Sequence, residues 1–210
     1  MPTAVLSTLV LASALLTVRA ECSGGRRQVY VFKPLTTALV ILVALQAKHA
    51  TAPAYRPLIV AGLVCSLAGD VLLMLPRERF VAGLVSFLFA HLFYVAAFAS
   101  DGGARPSAWA AAPLALYGAL MLRLLWPRLG GLRVPVVVYV AAILLMAWLA
   151  ASRWLALGDG GGASAFAGAL LFVASDSALA WNRFRGGFAG AQALILGTYF
   201  PAQLLIALST

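Results

Sequence analysis

Long apolar segments follow one another along almost the whole chain, and this succession restricts the fold more than any single motif does. A helix needs about 20 mostly apolar residues to cross the hydrocarbon core of a bilayer, and each segment comes close to that length. We identify eight segments, at about Thr3–Val18, Val29–Ala47, Pro57–Leu75, Phe80–Ala99, Ala108–Trp126, Val134–Ser152, one that ends near Trp181, and Phe188–Leu208.

The composition excludes an ordinary soluble domain. Of the 210 residues, 63% are hydrophobic and only 10% are charged, with a mean hydropathy of +0.99. Eight spans with short loops leave no room for a soluble domain. The sequence therefore predicts an all-α polytopic membrane protein, with one integral membrane domain over residues 1–210. The first segment has no basic region before its apolar core, so we expect a retained helix, with a cleaved signal as the alternative.

Membrane topology explains the net charge of +9, so no nucleic-acid partner is expected. Ten basic residues lie in the odd-numbered loops: Arg19, Arg26, Arg27, Arg77, Arg79, Arg123, Arg128, Arg133, Arg183 and Arg185. Four lie on the opposite side: Lys48, Arg56, Arg105 and Arg153. Because cytoplasmic loops carry an excess of lysine and arginine, we expect the odd loops in the cytoplasm and both termini outside.

Two aspartates, Asp70 and Asp176, lie inside apolar segments and are the only acidic residues that we place outside the loops. A carboxylate in the middle of a span costs about 2.5–3.5 kcal/mol on insertion scales, so both should face protein or water. These two residues are the centre of the functional hypothesis.

The depth of the polar residues indicates a shared cavity. Lys33, Asp70 and Asp176 lie about 5–11 Å from the odd-loop face, at a rise of 1.5 Å per residue. His91 and Tyr199 lie about 16 Å from the same face, near mid-bilayer. We therefore expect a cavity that opens to one leaflet.

The fourth segment carries Gly83, Phe87, His91 and Tyr94 at spacings of four, four and three, which places them on one helical face. A weak internal repeat is also visible: Asp70, Phe80 and His91 correspond to Asp176, Phe188 and Tyr199. Four helices separate the copies, so the sequence predicts a parallel repeat of two helix hairpins.

Each of these residues also has a structural interpretation. The aspartates can bond to neighbouring serines or pair with Lys33, and Lys33 can extend its amine to the interface. His91 can bridge helices by a hydrogen bond, and the hydroxyl and amide groups of Tyr94, Tyr199 and Gln203 often join helices. Asn182 and Arg183 suit interfacial anchors as well as a phosphate ligand.

Metal and nucleophilic chemistry are not indicated. His49 falls in a predicted loop, which leaves His91 as the one membrane histidine, and a three-histidine zinc site cannot be assembled. Cys22 and Cys65 indicate neither a disulfide nor a metal cluster, and no nucleophile-elbow pattern is present. Acid–base chemistry by carboxylates remains, and no cofactor is expected.

The polar motifs together resemble the signature of the YhhN-type membrane proteins. The resemblance rests on KPLTT from Lys33, SLAGD ending at Asp70, the Gly83–Tyr94 stripe, ASDSALA around Asp176, and Tyr199. It covers nearly the whole chain, including its length and eight spans. Characterised members are lysoplasmalogenases, which hydrolyse the vinyl ether bond of a lysoplasmalogen to a fatty aldehyde and a glycerophospho-ethanolamine or -choline.

The resemblance implies a lysophospholipid substrate and a division of labour between two carboxyl groups. One acid protonates the vinyl ether and a second, ionised carboxylate stabilises the cation and activates water, as in glycosidases. The catalytic candidates are Asp70 and Asp176, in either order; the substrate-binding candidates are Lys33, His91, Tyr94, Tyr199, Asn182 and Gln203.

Two other functions remain open at this point. A proton-coupled transporter can use the same buried Asp, His and Lys residues. A structural or assembly protein of the membrane is the third alternative. For all three we expect a multi-pass protein surrounded by membrane lipids, and the Ala-, Arg- and Gly-rich composition favours a bacterial inner membrane.

Overall fold

A computed structural model describes residues 3–48, 52–75, 79–101 and 107–210. Over these residues it has eight α-helices and no strand, and all eight helices are long and apolar enough to cross a membrane. The helices are α1 (Thr3–Cys22), α2 (Arg26–Gln46), α3 (Tyr55–Met74), α4 (Phe80–Ser100), α5 (Ala108–Leu125), α6 (Arg133–Leu157), α7 (Gly160–Phe184) and α8 (Ala191–Leu208). The prediction of an all-α polytopic protein is confirmed.

Several helices are longer than their apolar segments. α1 continues past Val18 to Cys22, α2 begins at Arg26 rather than Val29, and α6 continues past Ser152 to Leu157. The segment boundaries were placed at the first charged residue, but a charge does not stop a helix, since arginine is a good helix former. The expected stop at Pro76, the loop position of His49, and the charges of Arg77 and Arg105 lie outside the described residues.

The glycine-rich stretch at residues 158–162 joins α6 to α7 with almost no loop. Gly158, with φ +66°, ends α6, and Asp159 caps α7 by accepting a hydrogen bond from the Gly162 N–H at 2.6 Å. The following glycines form the first turn of α7. A Cβ on Gly162 would lie 2.8 Å from the Cα of Trp154, so glycine allows α7 to start close against α6.

Seven helices form a closed ring of contacts in the order α1, α2, α3, α4, α6, α7, α8, and α5 packs on the outside, mainly against α6. α3 packs most extensively on α4, and α7 on α8. The predicted face of α4 is confirmed, since Gly83, Phe87, His91 and Tyr94 are all buried in the bundle. The parallel repeat of two hairpins stays a prediction.

A buried ion pair closes the end of the bundle where the even-numbered loops lie. Arg153 donates from Nε and Nη2 to Oδ2 of Asp101, at 2.8 and 2.6 Å, and both side chains are at most 1% exposed. Oδ1 of Asp101 accepts the Ala52 N–H at 3.1 Å, and the guanidinium lies 4.5 Å from the ring centre of Tyr55. Both residues were expected in loops, and the sequence did not predict this pair.

We expect Arg153→Leu to destabilise the protein strongly, because it leaves the Asp101 carboxylate buried without its cation. Removing one partner of a buried pair typically costs about 3–5 kcal/mol. The thermal midpoint of the detergent-solubilised protein measures the effect, with Arg128→Leu at an exposed arginine as the control. Equal midpoints for the two variants would show that the ion pair does not stabilise the fold.

We also expect the loop after α7 to lie in the cytoplasm and the loop after α6 outside, because of the ten-to-four charge bias. Alkaline phosphatase fused after Gly158 should be active, whereas the same enzyme fused after Gly187 should be inactive. Fluorescent-protein fusions at the same positions should give the opposite pattern. Matching signals at the two positions would contradict the topology.

Candidate active site

Asp70 lies where α2, α3 and α8 meet, and each of its neighbours on the other helices donates to it. Its Oδ2 accepts hydrogen bonds from Thr37 Oγ1 at 2.7 Å and from the Tyr199 hydroxyl at 2.8 Å. Its Oδ1 lies 3.5 Å from Nζ of Lys33, and both side chains are almost completely buried. Hydrogen-bond donors and a cation all stabilise the ionised form of a carboxyl group.

Lys33 is eight residues into α2, deeper than predicted, because the helix begins at Arg26. Pro34 lies inside the helix for the same reason. This depth brings the amine of Lys33 level with Asp70 instead of leaving it at the membrane surface. The pairing of Asp70 with Lys33 is one of the structural interpretations that the sequence left open.

Asp176, on α7, has different partners. Its Oδ2 accepts a hydrogen bond from the Tyr139 hydroxyl of α6 at 2.5 Å. Nε2 of His91 is 3.8 Å from the same oxygen, which is too long for a hydrogen bond, and neither ring nitrogen of His91 has a hydrogen-bond partner. His91 is fully buried, held edge-on against Tyr139 and Phe172 with ring centres 5.1 and 4.7 Å away. Asp176 therefore has a phenol and an imidazole beside it where Asp70 has an ammonium group.

A line of hydrogen bonds fixes the Asp70 side of the site. The Tyr94 hydroxyl donates to Oε1 of Gln203 at 2.7 Å, and Nε2 of Gln203 donates to the Tyr199 hydroxyl at 3.2 Å. Tyr199 in turn donates to Asp70. The line orients Tyr199, because its oxygen accepts from one neighbour and donates to the other.

Aromatic rings fill the space around the two aspartates. Phe172 lies near the centre, with its ring centre 5.5 Å from that of Tyr199 and 6.4 Å from that of Phe87. Because Phe172 also contacts His91, it packs between the partners of Asp176 and those of Asp70. The packing keeps the two carboxyl groups in separate surroundings.

Both carboxyl groups nevertheless reach one space, which we call the polar cavity. It has an empty volume of about 950 Å³, including its open part, and lies at the odd-loop end of the bundle. Lys33, Asp70, Asp176 and Tyr199 line it, as expected of a shared cavity, and Asn182 lines it as well. His91, which was also expected there, does not line it: it is fully buried and lies behind Asp176. Gln203 is fully buried behind Tyr199, and Tyr94 behind Gln203.

Sequence reasoning missed several residues of the site. Glu21 lies in the last turn of α1 and lines the polar cavity, so the expectation that Asp70 and Asp176 are the only acids outside the loops is wrong. Thr37 belongs to the KPLTT motif, and its position one turn after Lys33 was an available signal. Tyr139 gave no signal, because its segment is otherwise plain and its contact with Asp176 arises from the packing of α6 on α7.

Arg183, in the last turn of α7, also lines the polar cavity, with its guanidinium 4.6 Å from the ring centre of Phe80. Across the described part of the chain, no three His, Cys, Asp or Glu side chains come together in a group that could hold a metal ion. The chemistry that the site offers is proton transfer by Asp70 and Asp176, next to basic groups that can bind an anion.

The chain is similar in sequence to several known proteins. The chain is 37% identical over 199 residues to the membrane protein YhhN of Escherichia coli O157:H7, covering 94% of each protein. It is 41% identical over 157 residues to human lysoplasmalogenase TMEM86B, covering 74% of this chain and 64% of that one. It is 37% identical over 163 residues to human lysoplasmalogenase TMEM86A, covering 72% and 64%. No solved structure matches the chain.

The sequence profile of the YhhN family matches residues 28–210, which include seven of the eight helices and both aspartates of the site. The matched proteins are named as membrane proteins or lysoplasmalogenases, in agreement with the eight membrane-spanning helices. The chain therefore belongs to the YhhN family, a family of integral membrane proteins that includes lysoplasmalogenases.

Proposed function

We propose that the protein is a lysoplasmalogenase that hydrolyses the vinyl ether bond of its lipid by carboxylate acid–base catalysis. The observation that carries the proposal is that Asp70 and Asp176 line the same polar cavity with different partners. Two titratable groups in different surroundings are the usual basis for dividing acid and base roles. The names of the two human relatives support the substrate class.

Asp70 is the ionised carboxylate in this proposal. Two hydroxyl donors and the Lys33 ammonium group surround it, and all three interact best with a negative charge. A carboxylate held in this way stabilises a developing cation in the cavity and accepts a proton from water.

Asp176 is the proton donor. Tyr139 and His91 both approach its Oδ2, which leaves Oδ1 to carry the proton toward the cavity. The neighbours of Asp176 are a phenol and an imidazole, whereas Asp70 has the ammonium group of Lys33, and an apolar environment favours the neutral form of a carboxyl group.

The two carboxyl groups carry out every proton transfer that the proposed reaction with water requires. Asp176 protonates the carbon β to the ether oxygen, which gives an oxocarbenium ion. Asp70 takes a proton from the water that attacks this ion, and a hemiacetal forms. Asp70 then protonates the departing glycerol oxygen while Asp176 takes the hemiacetal proton, so aldehyde and alcohol are released and both residues return to their starting forms.

The phosphate of the head group is expected at the odd-loop end of the polar cavity. Arg183 and Asn182, in the last turn of α7, line that end. Lys33 is also a substrate-binding candidate from its sequence position, and a phosphate contact by Lys33 stays a prediction. The contact with Asp70 and the 8% exposure of Lys33 favour a different role, which is to keep Asp70 ionised.

Purified protein in detergent, mixed with a lysoplasmalogen, tests the function directly. We expect a fatty aldehyde to accumulate with time, and one deuteron to appear on the carbon next to the aldehyde group when the reaction is run in D₂O. The matched control is a lysophospholipid with a saturated ether, which has no double bond to protonate and should remain intact. No aldehyde above the protein-free rate would contradict the proposal. Transport of the lipid only under a proton gradient would favour the carrier.

We expect Asp70→Asn and Asp176→Asn each to lower kcat at least ~10²-fold, the usual scale of general acid–base catalysis. Asparagine has nearly the same size as aspartate, so the exchange removes charge and proton transfer with little change in packing. The double variant should be little worse than the poorer single variant, because residues that act as a unit are not additive. Initial rates of aldehyde release measure all three.

Asp159→Asn is the matched control, because this aspartate lies at the other end of α7 and asparagine caps helices equally well. It should keep wild-type turnover. If the folded Asp70→Asn and Asp176→Asn proteins also released aldehyde at near-wild-type rates, the two aspartates would be structural.

For Lys33→Met we expect kcat to fall at least tenfold with little change in KM. The Asp70 carboxylate loses its nearby cation in this variant, and a loss confined to kcat indicates an interaction that acts on the chemical step. Lys48→Met, at the other lysine of the chain, is exposed beyond the end of α2 and should leave both constants unchanged. A rise in KM alone would contradict this role and assign Lys33 to the phosphate.

A further inference from the structure

A second space, which we call the apolar groove, lies between α5, α6 and α7 beside the start of α4. It has an empty volume of about 650 Å³, including its open part, and its lining is mainly aliphatic, with Met121, Val140, Leu144 and Val173 among its residues. The proposed function does not use this space.

The apolar groove and the polar cavity share three lining residues, Phe80, Asp176 and Leu179. Asp176 is the polar member of the three. The carboxyl group that we assign as proton donor therefore lies where an aqueous, charged space meets an aliphatic one. A molecule bound across this junction would have a polar end among Lys33 and Asn182 and an apolar end between α5 and α6.

The apolar groove follows one leaflet of the membrane. It begins near Phe80 and Phe184, at the odd-loop ends of α4 and α7. It reaches Leu144, eleven residues after the start of α6, at a depth of about 16 Å. Half of a hydrocarbon core is about 15 Å thick, so the groove spans the depth of that leaflet. Asp176 lies about 12 Å deep, roughly one turn short of Leu144.

The outer wall of the apolar groove is α5, the helix outside the ring. α5 makes few contacts with α7, and one of them is a hydrogen bond from the Tyr117 hydroxyl to Oγ of Ser177 at 2.7 Å. Both residues line the groove, and Tyr117 is partly exposed on the outside of the bundle. The sparse contact between α5 and α7 makes this the side on which the groove can open to the bilayer.

We propose that the apolar groove holds the single alkenyl chain of the substrate lipid, which passes in from the bilayer between α5 and α7. With the head group in the polar cavity and the chain in the groove, the vinyl ether bond between them lies at Asp176. The inference rests on the proposed function and adds the chain-binding half of the site. A bilayer is as apolar as the groove, so the groove contributes position rather than hydrophobic affinity.

Leu144 and Leu145 provide a matched pair for a test of the groove. Leu144 lines the groove about one turn deeper than Asp176, whereas Leu145 is 38% exposed on the outside of the same helix. Leu144→Trp should fill the groove beside the reacting bond and lower kcat/KM for a lysoplasmalogen at least about tenfold, since a substrate misplaced by about 1 Å can lose that much or more. Leu145→Trp should keep the wild-type kcat/KM. Equal kcat/KM in the two variants would overturn the inference, although turnover itself would still support the proposed function.

A binding measurement tests the inference independently. It needs neither a folded tryptophan variant nor enzymatic turnover. The probe is a saturated-ether lysophospholipid with a photoreactive diazirine at the end of its chain, used with the wild-type protein in vesicles. We expect mass spectrometry to find the label on the groove residues of α5 and α6. Label only on outward-facing residues such as Leu145 and Val138 would overturn the inference. Groove labelling without aldehyde release from lysoplasmalogen would support the lipid site and contradict the enzyme.

Discussion

The cost of placing carboxyl groups inside an apolar bundle is the constraint on which the rest of the structure depends. Each buried aspartate is matched by donors from other helices: Asp70 by Lys33, Thr37 and Tyr199, and Asp101 by Arg153. Asp176 has the hydroxyl of Tyr139. These partners tie α2 to α3 and α8, and α6 to α7, so the residues proposed to carry the chemistry also determine how the helices pack.

The two ends of the bundle use charge differently. At the even-loop end, Asp101 and Arg153 are closed off in a bidentate contact under the ring of Tyr55, which suits a structural role. At the odd-loop end, Lys33 and Asp70 meet at 3.5 Å on the wall of a cavity of about 950 Å³. A charged pair that faces a cavity can respond to a bound molecule, whereas a sealed pair cannot. We therefore place the proposed active site at the odd-loop end of the bundle.

In our proposal, the shape of the site fits a lipid with one chain. The polar cavity and the apolar groove meet at Asp176, with Phe80 and Leu179 on either side of the junction. α5 lies outside the ring of the other helices and makes few contacts with α7, and in our proposal the chain enters between these two helices. A membrane enzyme with this arrangement can take its substrate without removing the chain from an apolar environment.

The sequence by itself determined the fold class and the approximate position of all eight helices, because apolar length and charge are properties of contiguous segments. It also identified Asp70 and Asp176, since a carboxylate is conspicuous in an apolar run. Helix ends were less predictable, as the extensions of α1 to Cys22 and of α6 to Leu157 show, because helices continue through the charged interface.

Only the tertiary structure decided which residues face one another. The contacts of Asp70 with Tyr199 and of Asp101 with Arg153 join residues 129 and 52 positions apart, and no local pattern encodes them. The same holds for Tyr139, for Glu21 at the cavity wall, and for the gap between α5 and α7. Their positions depend on how the helices are rotated and ordered in the bundle. Apolar segments of similar composition do not determine this arrangement.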